Sequence, residues 1–158
     1  MYIELLEKLK NKESLTRGES KRFIDSVFTG KISSSVLTEF LMLLNKNGFG
    51  SEELTGFAIS MREASNKVAF NKEVIDNCGT GGDGHGTFNI STTASLIAAS
   101  VGVYVAKHGN KAVTSSSGSA DILEASGINI NLSPEQVSFC LEENNFGFMY
   151  PPLHHLSM

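Results

Sequence analysis

Cysteine is scarce in this chain. Cys78 and Cys140 are its only 2 thiols in 158 residues. They lie far apart, without a CxxC or a histidine-rich partner motif, so the pattern suggests neither a disulfide framework nor a zinc site. Both are expected to be reduced thiols buried as small hydrophobes. Basic excess is missing too. A formal net charge of −4 and the lack of a basic face argue against a general nucleic-acid or membrane-surface binder, and no nucleic-acid or membrane partner is expected. No apolar run approaches membrane-spanning length, and Met1-Tyr2-Ile3-Glu4-Leu5-Leu6-Glu7-Lys8 is charged too early for a signal peptide, so a cytoplasmic location is expected. There is no GK[ST] element for a P-loop, no internal repeat, no charge block, and no arginine after Arg62.

The chain does contain two kinds of pattern. The first part has helical spacing throughout. Ile3, Leu5, Leu6 and Leu9 read as an amphipathic helix. Thr16-x-x-Glu19 is a capping box leading to Phe23, Ile24, Val27 and Phe28, with Gly30 as the stop. Ser33 to Ser35 cap a third helix carrying Val36, Leu37, Phe40, Leu41 and Leu44, and a fourth from Ser51 carries Leu54, Phe57, Ala58 and Met61. These faces suit the core of a small bundle, and four short helices leave apolar surface over for a partner. Residues 66–72 lose periodicity and read as a hinge.

From Glu73 the pattern alternates. Strands are expected near 73–78, 103–107, 127–131 and 146–150, with helices near 91–101, 119–126 and 134–144, the last opened by Ser133-Pro134. Repeated strand–helix–strand units imply a parallel sheet with right-handed crossovers. The expected fold class is therefore α/β: a small N-terminal helical bundle over 1–68, then an incomplete, mostly parallel α/β sheet domain over 69–158. The incompleteness is expected because a parallel sheet ending near Met158 would leave an edge and part of its faces uncovered.

Two loops concentrate the chemistry. Val74-Ile75-Asp76-Asn77-Cys78 breaks into Gly79, Gly81, Gly82 and Gly84, where backbone without side chains lets amide N–H groups converge on an anion. Ser91, a helix N-cap candidate, would point further N–H groups at the same place. The second loop runs Lys107-His108-Gly109-Asn110-Lys111 and on through Thr114-Ser115-Ser116-Ser117-Gly118-Ser119, offering two cations, hydroxyls and another helix start. In a parallel sheet both loops leave at one edge, where open α/β sheets bind ligands. Gly79-x-Gly81-x-x-Gly84 formally matches a dinucleotide fingerprint, but helix propensity resumes only near Ser91 and the next strand ends in Lys107-His108, not in an acid.

Asp76 to Asp83, Asn89-Ile90-Ser91-Thr92, Lys107 to Lys111 and Ser117 to Asp121 resemble, in order and spacing, the successive signatures of the anthranilate phosphoribosyltransferase family. Phe146 to Met158 and the helical first part resemble it as well, over about the N-terminal half of a member. The resemblance implies transfer of phosphoribosyl from phosphoribosyl pyrophosphate to the amine of anthranilate, with release of pyrophosphate, through a cationic sugar. It implies phosphoribosyl pyrophosphate contacts from Gly79, Gly82, Asp83, Thr87, Asn89, Ile90, Ser91, Thr92, Lys107, His108, Gly109, Asn110, Lys111, Ser115 and Ser119. Gly79, His108 and Asn110 match positions near anthranilate, Ser91 matches a hydroxyl ligand to Mg²⁺, and Lys107 with bound Mg²⁺ would stabilise the transition state. A homodimer through the N-terminal helices is also implied.

Plainer roles remain open for some of these residues: loop bracing for Asp83 and Asn89, and a structural histidine at His108. His154 and His155 can form a pocket wall but, being adjacent, make a poor metal chelate. Lys111 stands where the family often has arginine. The family's arginine for the anthranilate carboxylate and its acidic pair for Mg²⁺ would lie after Met158, so the isolated chain is expected to be inactive. The alternatives are a pyrimidine nucleoside phosphorylase-like enzyme and a non-catalytic phosphate-binding or dimerisation module.

Overall fold

In the computed structural model, residues 2–79, 88–112 and 117–155 are described. The chain forms two compact units, one ending at Ser65 and the other beginning at Asn66.

The first unit holds α1 (Tyr2–Lys10), α2 (Arg17–Phe28), α3 (Ser34–Asn47) and α4 (Ser51–Ala64). The local signals act as expected. The Thr16 hydroxyl accepts the Glu19 N–H at 3.3 Å and the Glu19 carboxylate accepts the Thr16 N–H at 2.9 Å, closing the capping box on α2. Ser33 caps α3 by accepting the Val36 N–H. Leu5, Leu6, Leu9, Leu15, Phe23, Phe40 and Leu44 form the core, with the Phe23 and Phe40 rings stacked at a centroid separation of 3.6 Å.

α4 departs from expectation. Leu54 and Met61, expected to face the core, are 50% and 37% exposed, while Glu53, Gly56 and Ser60 are the buried residues of that helix. The cause is close approach. A Cβ on Gly56 would lie 2.5 Å from the Arg17 carbonyl oxygen and 2.7 Å from Ser20 Cβ, so α4 meets α2 along a seam that only small residues fit. The Glu53 carboxylate turns inward to accept the Leu15 N–H at 2.8 Å and the Gly50 N–H at 3.0 Å, and the Ser60 hydroxyl donates to Asp25. Ile3 and Leu41 are exposed as well.

The second unit holds α5 (Ile90–Ser100), β1 (Val105–His108), α6 (Ser119–Ala125), α7 (Pro134–Asn144), β2 (Phe146–Met149) and the short α8 (Pro151–His154). Among the described residues the sheet is β1 beside β2 in parallel, with Val105 opposite Phe146 and His108 opposite Met149. Ala106, Val137, Leu141 and Met149 make one core cluster, where α7 packs so closely that a Cβ on Gly147 would lie 2.8 Å from Val137 Cγ1. Ala120, Leu123, Ile130 and Phe148 make the other, against α6.

Two expected strands do not form. Over 73–78 there is one parallel bridge, Ile75 to Val105, because beyond it the Asp76 carboxylate takes the Cys78 and His108 N–H groups that a strand ladder would use. Over 127–131 the donors are also consumed locally. Gly127, at φ 79°, ends α6 with the Ile128 N–H returning to the Leu123 carbonyl, and the Asn129 side chain accepts the Asn131 N–H at 2.9 Å. Without a strand on either side to cover it, Cys78 is exposed and not buried, and Cys140 is half-buried.

Gly56→Ala should destabilise the first unit by about 1–3 kcal/mol, the usual cost of overpacking, measured by denaturant unfolding; an unchanged midpoint would mean the α2–α4 seam relaxes freely. A second expectation concerns acid. Hydrogen bonding to Lys8, then to the Thr16 N–H, lowers Glu19 from 4.5 to about 2. The folded state therefore binds the Glu19 proton less readily than the unfolded chain. This contribution is fully present above pH 4.5 and is lost as pH falls toward 2. Glu19→Gln should flatten that part of the stability–pH curve.

Candidate functional site

At the carboxyl end of β1 the chain buries a charge. Lys107 is fully buried (0% exposed), its strand covered by α5 on one side and α7 on the other. Its ammonium is met by the Asn77 side-chain oxygen at 3.2 Å and the Ser91 hydroxyl at 3.4 Å. Burial pushes Lys107 below the ordinary lysine value of 10.5, against the opposing influence of Cys78 and Asp76. No ion pair to Lys107 forms among the described residues. A buried cation met, among the described residues, by neutral oxygens is costly by itself and favours an anionic ligand.

Asn77 organises this end of the unit. Its amide nitrogen donates to the Ser91 carbonyl at 2.9 Å, and its oxygen takes the Ser95 hydroxyl at 2.7 Å as well as the Lys107 ammonium. One side chain thus ties the segment before the glycines to the first turns of α5 and to β1. Sequence reasoning gave Asn77 no role. The available signal was a polar pair, Asp76-Asn77, closing an otherwise apolar strand pattern, since strands of buried parallel sheets are usually apolar throughout.

The helix start also differs from expectation. α5 begins at Ile90 with Asn89 as its N-cap, so Ser91, expected to cap, lies inside the first turn. Asn89 gives the helix its backbone carbonyl, which accepts the Thr93 N–H. Its side-chain amide instead reaches the second loop, donating to the Ser117 carbonyl at 3.2 Å, the Ser117 hydroxyl at 3.1 Å and the Gly118 carbonyl at 3.3 Å. The first loop's end is thereby joined to the second loop, and bracing is the role Asn89 visibly performs. Thr92 is buried, with no hydrogen-bond partner for its hydroxyl among the described residues. Ile90 is 54% exposed.

On the second loop, Asp121 accepts the Ala112 and Gly118 N–H groups, each at 2.8 Å, and is lowered by those bonds. Gly118 is required there, because a Cβ would lie 2.4 Å from the Asn110 carbonyl oxygen; one on Gly109 would lie 2.7 Å from Ser119 Cβ. The Asn110 side chain accepts the Lys111 N–H. Lys111, expected as a second cation of the site, is paired with Glu124 at 2.9 Å. Gly79 is exposed, with open space where a Cβ would stand. Gly82, Asp83, Thr87 and Ser115 lie outside the described residues.

His108 sits beside this cluster with Nδ1 2.8 Å from the Asp76 carboxylate and its ring centroid 6.2 Å from that of His155. Burial lowers both His154 and His155 from 6.5, which favours their neutral rings. No group of three or more acidic, histidine or cysteine side chains suited to a metal occurs among the described residues. Among them, too, no helix is long and apolar enough to cross a membrane.

The chain resembles known proteins along its whole length. The chain is 45% identical over 158 residues to an anthranilate phosphoribosyltransferase of Rubrobacter xylanophilus, covering 100% of this chain and 46% of the relative. It is 43% identical over 157 residues to one of Chlorobium phaeovibrioides, covering 99% of this chain and 45% of the relative; the chain thus spans just under half the length of these curated relatives. Among solved structures, the anthranilate phosphoribosyltransferase of Thermus thermophilus superposes with a TM-score of 0.88 at 38% identity, over 97% of this chain and 47% of that one. The Saccharomyces cerevisiae enzyme in complex with PRPP and Mg gives 0.85 at 27% identity, over 99% and 48%. The family models for the helical bundle domain and the a/b domain of the glycosyl transferase family match residues 3–65 and 71–158, and on that match the chain belongs to the glycosyl transferase family.

Proposed function

We propose that this chain carries the phosphoribosyl pyrophosphate half-site of an anthranilate phosphoribosyltransferase, the whole protein joining C1 of the ribose to the amine of anthranilate and releasing pyrophosphate. The observation that carries this reading is the Lys107 ammonium, buried beside Ser91 and the start of α5 with neutral oxygens around it. The yeast relative, solved in complex with PRPP and Mg, supports the choice of anion. In this reading Gly79, Gly82, Asp83, Thr87, Asn89, Ile90, Ser91, Thr92 and Ser115 to Ser119 surround the phosphoribosyl pyrophosphate, and Gly79, His108 and Asn110 adjoin the aromatic amine. Lys107 offsets charge on the departing diphosphate. Asn77 keeps Lys107 and Ser91 in register, and Asn89 and Asp121 fix the second loop against the first.

The Ser91 hydroxyl is a hard oxygen donor and fits Mg²⁺, an ion that commonly takes its other ligands from phosphates and water. When bound, Mg²⁺ neutralises diphosphate charge. With an ammonium 3.4 Å from that hydroxyl, a metal without the polyanion meets repulsion, so the two are expected to bind together. Leu41, Met42, Leu54 and Met61, exposed on α3 and α4, are the surface through which we propose the N-terminal helices pair two subunits.

Titration calorimetry on the full chain should show phosphoribosyl pyrophosphate binding that strengthens with Mg²⁺ and weakens about 10- to 100-fold in Lys107→Met, the range of a hydrogen bond to a charged group. Lack of binding, or phosphorolysis of thymidine or uridine, would overturn the assignment. Asn77→Ala should cost about 1–3 kcal/mol of stability by leaving buried polar groups unpaired, measured by denaturant unfolding.

A further inference from the structure

We infer that Asp76 is a positioning residue that fixes His108 as its Nδ1–H tautomer, so that the bare Nε2 is presented as an acceptor for the amine N–H of the aromatic substrate. The inference rests on the functional reading above for the identity of the amine, but not for the tautomer.

The geometry begins with the carboxylate. Asp76 Oδ2 lies 2.8 Å from His108 Nδ1, while Oδ1 accepts the Cys78 N–H at 3.0 Å and the His108 N–H at 3.4 Å. A carboxylate held from two sides has little freedom to turn, and an ionised one can only accept. In a neutral imidazole the nitrogen facing it must therefore carry the proton, which leaves the other nitrogen unprotonated. The backbone adds its own constraint. His108 is the last residue of β1, paired with Met149, and Gly109 after it has no room for a Cβ against Ser119 and Phe148.

Exposure points the same way. The His108 and Asp76 side chains are 41% and 34% exposed, so the pair stands at the rim where a ligand can reach the ring. Lys107, the preceding residue, carries the buried ammonium of the anion site. Two consecutive residues of one strand thus place a cation and, when the imidazole is neutral, an acceptor nitrogen at the same sheet end. An amine attacking C1 needs that pairing. As the C1–N bond forms, the C1–O bond breaks and its electron pair leaves with pyrophosphate; the nitrogen becomes cationic and must shed one proton, which an acceptor nitrogen takes and passes to water. A donor N–H in that position would engage the amine's lone pair, the electrons that the attack on C1 requires.

The test is long-range ¹H–¹⁵N NMR on the ¹⁵N-labelled full chain at about pH 8.5, above the ordinary imidazole range. The expected result is a pyrrole-type shift at Nδ1 of His108 and a pyridine-type shift at Nε2. Asp76→Asn, whose amide can donate to Nδ1, should reverse the two. A protonated Nε2 in the unmodified chain overturns the inference without need of any variant, and so does an unchanged tautomer in Asp76→Asn. With phosphoribosyl pyrophosphate present, anthranilate should move the Nε2 shift and benzoate, which lacks the amine, should not. Asp76→Asn should weaken anthranilate about 10-fold, the scale of one hydrogen bond, and leave benzoate unaffected. Equal weakening of both ligands, or no response of Nε2 to anthranilate, would reduce Asp76 to a structural brace and overturn the proposal. Phosphoribosyl pyrophosphate binding, followed in the same samples, separates the two readings: its absence alongside the expected tautomer counts against the transferase assignment and not against the Asp76–His108 pairing.

Discussion

Burying an ammonium where the sheet ends imposes requirements on everything near it. Lys107 cannot sit inside the second unit unless polar atoms face it, and the Asn77 amide and the Ser91 hydroxyl are those atoms. Asn77 can reach Lys107 only if the segment before the glycines runs alongside β1, which the Ile75 to Val105 bridge secures. Ser91 reaches it from the first turn of α5, which starts two residues earlier than a Ser91 cap would place it and leaves the Asn89 side chain to clasp the second loop. The bridge and the helix start bring two neutral oxygens to one buried charge, and the clasp ties the second loop to the same helix start.

This arrangement also explains how an acidic chain can suit a polyanion. Its net charge is −4, yet the charge that matters is local, and low surrounding polarity magnifies it. Lys111 illustrates the contrast: its ammonium is half-exposed and taken by Glu124, so it contributes little field at the site.

Much of this was legible in the sequence. The capping box at Thr16, the Ser133-Pro134 start and the helical spacing of Leu5, Leu9, Phe23 and Phe40 gave the helices almost to the residue, because local hydrogen bonds and one apolar face decide them. The Lys107 to Lys111 loop stood out in the sequence, and Lys107 is the buried cation at the end of β1. The failures came where side chains compete with backbone. Asp76 and Asn129 take N–H groups that strand patterns reserve for a ladder, and no propensity scale distinguishes the two outcomes. α4 failed for a different reason: its apolar residues are real, but Gly56 decides which face can come close, and spacing carries no information about approach distance.

That seam affects how the first unit responds to temperature. A contact made by Gly56, Ser60 and an inward Glu53 removes little hydrocarbon from water and relies on close packing and hydrogen bonds. Exposing it on unfolding adds little to the heat-capacity increment, which grows with apolar area and shrinks with polar area. The Phe23–Phe40 stack between α2 and α3 has the opposite character. On cooling, the aromatic side of the bundle therefore loses driving force while the α2–α4 side keeps most of its own, so cold would loosen the two sides of this small domain unequally.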